Sequence, residues 1–314
     1  MTPSHVRKYP IHKLFHKAET DDLRPNGRNR PSTNNENRRR LLWPPGNLFA
    51  IQPSRRILFR QINHRRGEPS CDTSYHVKRL QTDYIDLLWL HAWDFMTPVE
   101  EVMRALDDLV RAGKILYVGI SDTPAWIVSQ ANTLAMLQGW SPFVGLQIQY
   151  SLIERAVERD LLPMAKAFDM AVTPWGAIGG GVLSGKYRLG QERPKGTRFS
   201  EGAWGDTFLT ERNLHIAEEV VKLSQQINHS CSQIAINWIR QQKKAQLIPI
   251  IGARTVDQLH DNLACLDFQL TEEQLAQLDR ASQIDLGFPH DFLEKGKHVL
   301  FGETFPKIDY HRMG

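Results

Sequence analysis

Cysteine is scarce in this chain: Cys71, Cys231 and Cys265 are the three in 314 residues. Their wide spacing offers neither a metal-ligand signature nor a disulfide framework, which excludes small stapled secreted scaffolds and zinc modules. That usage fits a reducing, cytoplasmic setting. Long apolar runs are missing as well. None approaches the roughly 20 residues that a spanning helix needs, and no signal-peptide core opens the chain, so no membrane partner is expected. The dinucleotide fingerprint G-x-G-x-x-G is absent, so a Rossmann site is not supported. His12 and His16 stand one helical turn apart, but no glutamate adjoins the first and no third ligand follows, so no metal is expected.

What is present divides unevenly. Residues 1–76 hold 15 Lys+Arg and 6 Asp+Glu, a balance of +9, whereas residues 77–314 hold 24 and 29, a balance of −5. Runs such as Arg24-Pro25-Asn26-Gly27-Arg28 and Asn34-Asn35-Glu36-Asn37-Arg38-Arg39-Arg40 carry breakers and no apolar period. Segment 1–76 therefore reads as an unassigned, basic, disordered arm. A basic arm can bind nucleic acid or anionic lipid, but a chemically silent one is the commoner case, and no nucleic-acid partner is expected.

Pattern begins with Thr82-Asp83-Tyr84-Ile85-Asp86-Leu87-Leu88-Trp89-Leu90-His91. Tyr84 to Leu90 is an apolar run of strand length, of the kind a parallel sheet covers on both faces. It ends at His91. Thr97, Pro98 and Glu100 then predict a capped helix whose Val99, Val102, Met103, Leu106, Leu109 and Val110 share a face, with Gly113 as its stop. Strands follow at Ile115–Ile120, ending in Ser121-Asp122, at Val144–Ile148, carrying Gln147, at Ala171–Trp175 and at Leu247–Ile251. Helices are expected at 124–137, 161–168, 209–226, from Ser230 (with Gln233 as its capping-box partner), at 255–263 and at 271–282. The tail 284–314 shows no helical period. This alternation argues a parallel sheet wound with helices.

The run RLQTDYIDLLWLH resembles the fourth strand of the aldo-keto reductases, and from 77 to 283 the chain resembles the barrel of that family, nearest the branch that includes the potassium-channel β subunits. The resemblance implies an α/β fold, an incomplete (β/α)8 TIM barrel with five of its eight βα units recognisable. A lone histidine is more often structural than catalytic, but here the resemblance makes His91 the residue that touches the substrate carbonyl. It makes Ser121, Asp122 and Gln147 the partners of a nicotinamide carboxamide and Trp175 the platform under the ring. The chemistry agrees, because a flat ring needs an aromatic face and its amide needs groups that both donate and accept. The loop Gly176, Ala177, Ile178, Gly179, Gly180 lets backbone N–H groups approach a pyrophosphate, with Lys186 as counter-charge. Segment 252–262 resembles the family's adenosine-phosphate segment, where Gly252, Arg254, Gln258, Asp261 and Asn262 would meet the 2′-phosphate and adenine. Gln258 could equally serve Thr255 as a capping partner. Arg198 is a second phosphate contact, and two arginines favour NADP over NAD.

The same resemblance requires an aspartate, a tyrosine and a lysine from the first three βα units, and these are not found. Upstream of the His91 strand the tyrosines are Tyr9 and Tyr75; Asp72-Thr73-Ser74-Tyr75 has the wrong spacing, and Lys78 is on the approach to the strand. The resemblance also opens abruptly near Val77, as a frameshift or a replaced 5′ end would leave it. The expected function is therefore an NADP-dependent aldo-keto reductase of small carbonyl substrates, truncated or frameshifted, weakly active or inactive as written. The alternatives are a catalytically dead NADP-binding regulatory protein and a gene remnant. Neither the particular substrate nor the oligomeric state is written in the sequence.

Overall fold

Strands apolar on both faces, each followed by a helix with one apolar stripe, can bury that surface only in a covered parallel sheet. The computed structural model of the chain contains one. It describes residues 59–62, 80–200 and 202–307. The chain divides into units Met1–Asn47 and Leu48–Gly314, and every described residue lies in the second.

Strands β1 (Phe59–Ile62), β2 (Ile85–Leu90), β3 (Ile115–Ser121), β4 (Phe143–Gln149), β5 (Ala171–Trp175) and β6 (Gln246–Leu247) form one sheet in sequence order, with every neighbouring pair parallel. The architecture is that of a partial (β/α)8 barrel. Strands β2 to β6 are the five expected. β1 is an addition and a correction, because Phe59–Ile62 lies inside the segment read as patternless and pairs with Leu87–Leu90. Four residues are too few to show a period, and only the neighbouring strand identifies them. The remaining expectations for 1–76, with Tyr9, His12, His16, Cys71 and Tyr75, and Lys78 beyond it, lie outside the described residues.

The last strand is shorter than expected, for a local reason. Its ladder runs on past Leu247, with Ile248 N donating to Val172 O and Ile250 N to Pro174 O, both at 2.8 Å. Pro249 between them has no N–H to give.

Helices α1 (Val99–Arg111), α2 (Ala125–Gln138) and α3 (Leu161–Ala167) follow β2, β3 and β4. After β5 come α4 (Ala203–Phe208), α5 (Glu211–Ile227) and α6 (Cys231–Arg240), and after β6 come α7 (Val256–Leu263), α8 (Glu272–Ser282) and α9 (His290–Phe301). The Ser230–Gln233 capping box on α6 is formed, and Gly113 takes φ +67° beyond α1. Thr97, expected to cap α1, does not; Pro98 stands at the cap without a side-chain bond. Thr97 is held instead by Asp94, whose carboxylate accepts from Met96 N, Thr97 N and Thr97 Oγ1 at 2.7–2.9 Å. An ionised acceptor two or three residues away outcompetes a hydroxyl cap. α9 corrects the reading of the tail as non-helical. Its Phe292, Val299 and Leu300 are exposed, so no buried stripe imposes a period, and local bonds such as Asp291 N to Gly287 O hold its start.

Helix faces supply Met103, Ile127, Val128, Ala131, Leu162 and Ala165 to a core that includes Ile120, Leu146, Ile148 and Val172 from the strands. Each of the larger aliphatic side chains among these contributes about 1.5–3 kcal/mol, and the alanines less. Polar clamps fix the helices against the sheet. Asn132 on α2 donates to Phe143 O and accepts from Phe143 N, at 3.1 and 2.9 Å. Buried Asp107 on α1 accepts from Ser141 N and Oγ and from Arg111. Burial raises the Asp107 pKa, but those donors outweigh it and hold the carboxyl below its ordinary range.

On the opposite face of the sheet lies Trp89, 2% exposed. The β3–β4 register slips by one residue between Val118 and Gly119, bringing Gly119 opposite Gly145. The indole lies across both glycines, and neither has space for a side chain. A Cβ at Gly119 would stand 2.5 Å from the ring, and one at Gly145 would stand 2.9 Å from it. Gly119→Ala is therefore expected to lower stability by about 1–3 kcal/mol, with a smaller loss for Gly145→Ala. Urea denaturation measures both, and wild-type midpoints would contradict this packing.

Candidate active site

A parallel ladder with a fixed register aligns the residues that leave it. Leu90, Ile120, Leu146 and Val172 form one row across β2–β5, and Ser121, Gln147 and Thr173 form the next. His91 follows Leu90 at the edge of that second row. These residues lie two positions beyond the row of Trp89, Gly119 and Gly145, hence on the same face. Trp175, paired with Gln149, stands two positions further on. The structure thus brings His91, Ser121, Gln147 and Trp175 to the carboxyl ends of adjacent strands on one side. Trp89, flanked by its two glycines, forms their floor. Sequence reading counted Trp89 only as part of an apolar run, although a glycine inside each of two strands signals close approach.

Asp122 ties this group together. Its φ of +42° is in the left-handed region that Asp and Asn tolerate. Its backbone N donates to Gln147 O at 3.2 Å, which turns the chain back toward the row. The carboxylate accepts from Trp175 Nε1 at 3.2 Å and lies 4.0 Å from His91 Nε2. Sequence reasoning placed Asp122 on a cofactor amide; in the structure its carboxylate holds the indole and faces the imidazole. Burial pushes the His91 pKa down, and attraction from Asp122 opposes this without overcoming it. Burial likewise pushes Asp122 up, against the Trp175 N–H, His91 and the Ser121 hydroxyl. At 4.0 Å the two groups are too far apart for their attraction to offset desolvation, so His91 is favoured as the neutral imidazole.

Two polar groups in the row have unused capacity. Ser121 Oγ, in a residue 1% exposed, makes no well-formed hydrogen bond among the described residues and lies near the Asp122 carboxylate, with which it interacts weakly. The Gln147 carboxamide is half-buried. A buried hydroxyl so weakly held keeps capacity for a further partner, and beside a carboxamide it suits a ligand amide. The glycine loop beyond Trp175 is shaped for close approach too. Gly180 and Gly181 have φ of +65° and +102°. A Cβ at Gly180 would meet the Phe199 ring at 2.7 Å and Arg198 Cδ at 3.9 Å, and one at Gly181 would meet Lys186 Nζ at 2.8 Å. Both expected cations therefore lie against the loop. Among the described residues no carboxylate is within ion-pair distance of Lys186. Ala177 is buried and Gly176, Ile178 and Gly179 complete the turn, with Gly179 N donating to Gly176 O at 2.7 Å. These features fit a nicotinamide dinucleotide.

The segment from Gly252 leaves the sheet beside this loop, because Ile250 pairs with Pro174. Its polar side chains divide in role. Asn262 Nδ2 donates to Gly252 O at 3.2 Å, and Gln258 Oε1 accepts from Arg254 N at 2.9 Å. Asp261 accepts from Ser230 Oγ and Gln233 Nε2, each at 2.9 Å. These three shape the segment and fasten α7 to α6, and Arg254 is left exposed at the amino end of α7.

None of the four described tyrosines stands in the His91 row. Tyr150 is fully buried and its hydroxyl donates to Glu158 at 2.7 Å; burial first, then Glu158, raises its pKa far above the ordinary value. Tyr187 accepts from Phe199 N, Tyr84 precedes β2, and Tyr117 pairs with Leu87. No group of three metal-ligating side chains occurs among the described residues, and none of their helices is long and apolar enough to cross a membrane.

Comparison with known proteins agrees with this geometry. The aldo/keto reductase family model matches residues 63–283, opening ahead of Val77. A Saccharomyces cerevisiae protein named as a probable aryl-alcohol dehydrogenase is 38% identical over 218 residues, 69% of this chain and 66% of its own length. Norsolorinic acid reductase A of Aspergillus parasiticus is 40% identical over 217 residues, 69% of this chain and 53% of its own length. An aldo-keto reductase of Aspergillus calidoustus is 38% identical over 217 residues, 69% of this chain and 54% of its own length. The chain thus spans between about half and two thirds of the length of these relatives.

The electrostatics of His91 can be measured. A histidine whose folded pKa lies below its unfolded value stabilises the fold fully above the unfolded value, near 6.5, and loses that contribution as pH falls toward the folded one. Asp122 is the group that opposes the shift, so Asp122→Asn should lower the His91 pKa further. Imidazole titration by NMR reads this, and an upward shift in the variant would contradict the arrangement.

Proposed function

The chain belongs to the aldo/keto reductase family, and from that premise we propose that it is an NADP-dependent oxidoreductase interconverting small carbonyl compounds and alcohols. One observation carries the reading: the buried Ser121 hydroxyl and the Gln147 carboxamide share a row with His91, beside the Trp175 indole. Ser121 and Gln147 bind the nicotinamide amide, and Trp175, with its edge fixed by Asp122, carries the ring. The backbone at Gly180 and Gly181, with Lys186 and Arg198, takes the pyrophosphate. Exposed Arg254 takes the 2′-phosphate, which favours NADP over NAD. When bound, the nicotinamide supplies or accepts the hydride. Neutral His91 donates a hydrogen bond to the carbonyl oxygen and orients it. The name of the yeast relative makes aryl aldehydes the first substrates to test, and the unpaired Cys231 and Cys265 suit a cytoplasmic site.

Turnover in this chain is weak on the same reading. A positioned general acid contributes about 10²–10⁴ in rate, and Tyr150, the described tyrosine that follows β4, is committed to Glu158. That observation favours a second reading, an NADP-binding protein whose occupancy is its signal.

NADPH binding, followed by fluorescence, should weaken at least tenfold in Trp175→Ala. Arg254→Ala should weaken NADPH and leave NADH unchanged. NADPH oxidation with aryl aldehydes should be slow and lost in His91→Ala. Binding without any turnover would favour the second reading, and no binding would overturn both.

A further inference from the structure

The residue least explained by cofactor holding alone is Asp122. A neutral side chain could also accept the Trp175 N–H, yet a carboxylate stands there, 3.2 Å from the indole nitrogen and 4.0 Å from the His91 imidazole. It therefore sits between the edge of the platform and the group that faces the carbonyl. Anything stacked on the indole lies within a few ångströms of this charge. The nicotinamide ring is a cation when oxidised and neutral when reduced, so a fixed anion at its edge interacts differently with the two forms. His91 is favoured as neutral and does not cancel the charge. No arginine or lysine is within ion-pair distance of Asp122 among the described residues.

Resting on the cofactor reading above, we propose that Asp122 makes the site hold oxidised NADP more tightly than NADPH, which draws the bound cofactor toward its oxidised form and so favours reduction of the carbonyl. In that direction a hydride passes from the reduced nicotinamide to the carbonyl carbon, leaving NADP+, and the carbonyl oxygen takes the freed π pair and a proton from solvent to become the hydroxyl. Asp122 is a specificity-determining residue for redox state: it acts through its charge and needs no contact with the reacting carbon. Its exposed fraction of 38% tempers the field, and a unit charge at this range and partial exposure corresponds to a preference of about tenfold.

The experiment compares dissociation constants of NADP+ and NADPH for the wild-type chain, Asp122→Asn and Asp122→Gly. Both substitutions remove the charge and suit a left-handed backbone, so either one can stand if the other fails to fold. Binding is followed by calorimetry at mildly alkaline pH, where the carboxylate is ionised despite its burial, and requires no turnover. The ratio Kd(NADPH)/Kd(NADP+) should fall about tenfold in each neutral variant. An unchanged ratio, with both forms still bound, overturns the role of Asp122 and leaves the cofactor reading intact. If the wild-type chain binds neither form, the cofactor reading fails and this inference with it.

Discussion

The site depends on the contact between one indole and two bare stretches of backbone. Trp89 fits against the sheet because Gly119 and Gly145 have no side chains, and the register slip at Val118 sets those glycines side by side. The ring fills the level beneath His91, Ser121 and Gln147 on their own face of the sheet. A side chain at either glycine would lift the ring, and the row above would move with it. Interiors packed at crystal density pass such shifts on without absorbing them.

Above that floor, positions are set by the ladder and electrostatics by Asp122. Hydrogen bonding between parallel strands fixes which residues emerge together, and the left-handed turn at Asp122 returns the chain over Gln147. One carboxylate then serves two neighbours, orienting the Trp175 ring edge and setting the field at His91. The segment from Gly252 shows the same economy. Asp261, Asn262 and Gln258 bond to Ser230, Gln233, Gly252 and Arg254, so Arg254 is presented by a segment held in place by its own side chains.

The succession of strands and helices was legible because each element has an apolar face with its own period, and the strand ends fell where those periods stop. The glycine loop and the Ser230 box were legible because turns and caps select particular residue types. Membership of the aldo/keto reductase family was carried by the His91 strand and by the residues at the strand ends after it. Local chemistry and spacing suffice for such features.

Only the tertiary structure decided the rest. The strand Phe59–Ile62 has too few residues to show a period and is defined by pairing with β2. Helix α9 buries no stripe, so no pattern announced it. Thr97 lost its cap to Asp94 through a competition between two acceptors that sequence cannot weigh. Trp89 became the floor of the site, and Asp122 the partner of Trp175 and His91, 53 and 31 residues away along the chain. The physical reason is common to these cases. Period and propensity are properties of neighbours along the chain, whereas register, close approach and shared charge exist only between segments that folding brings together.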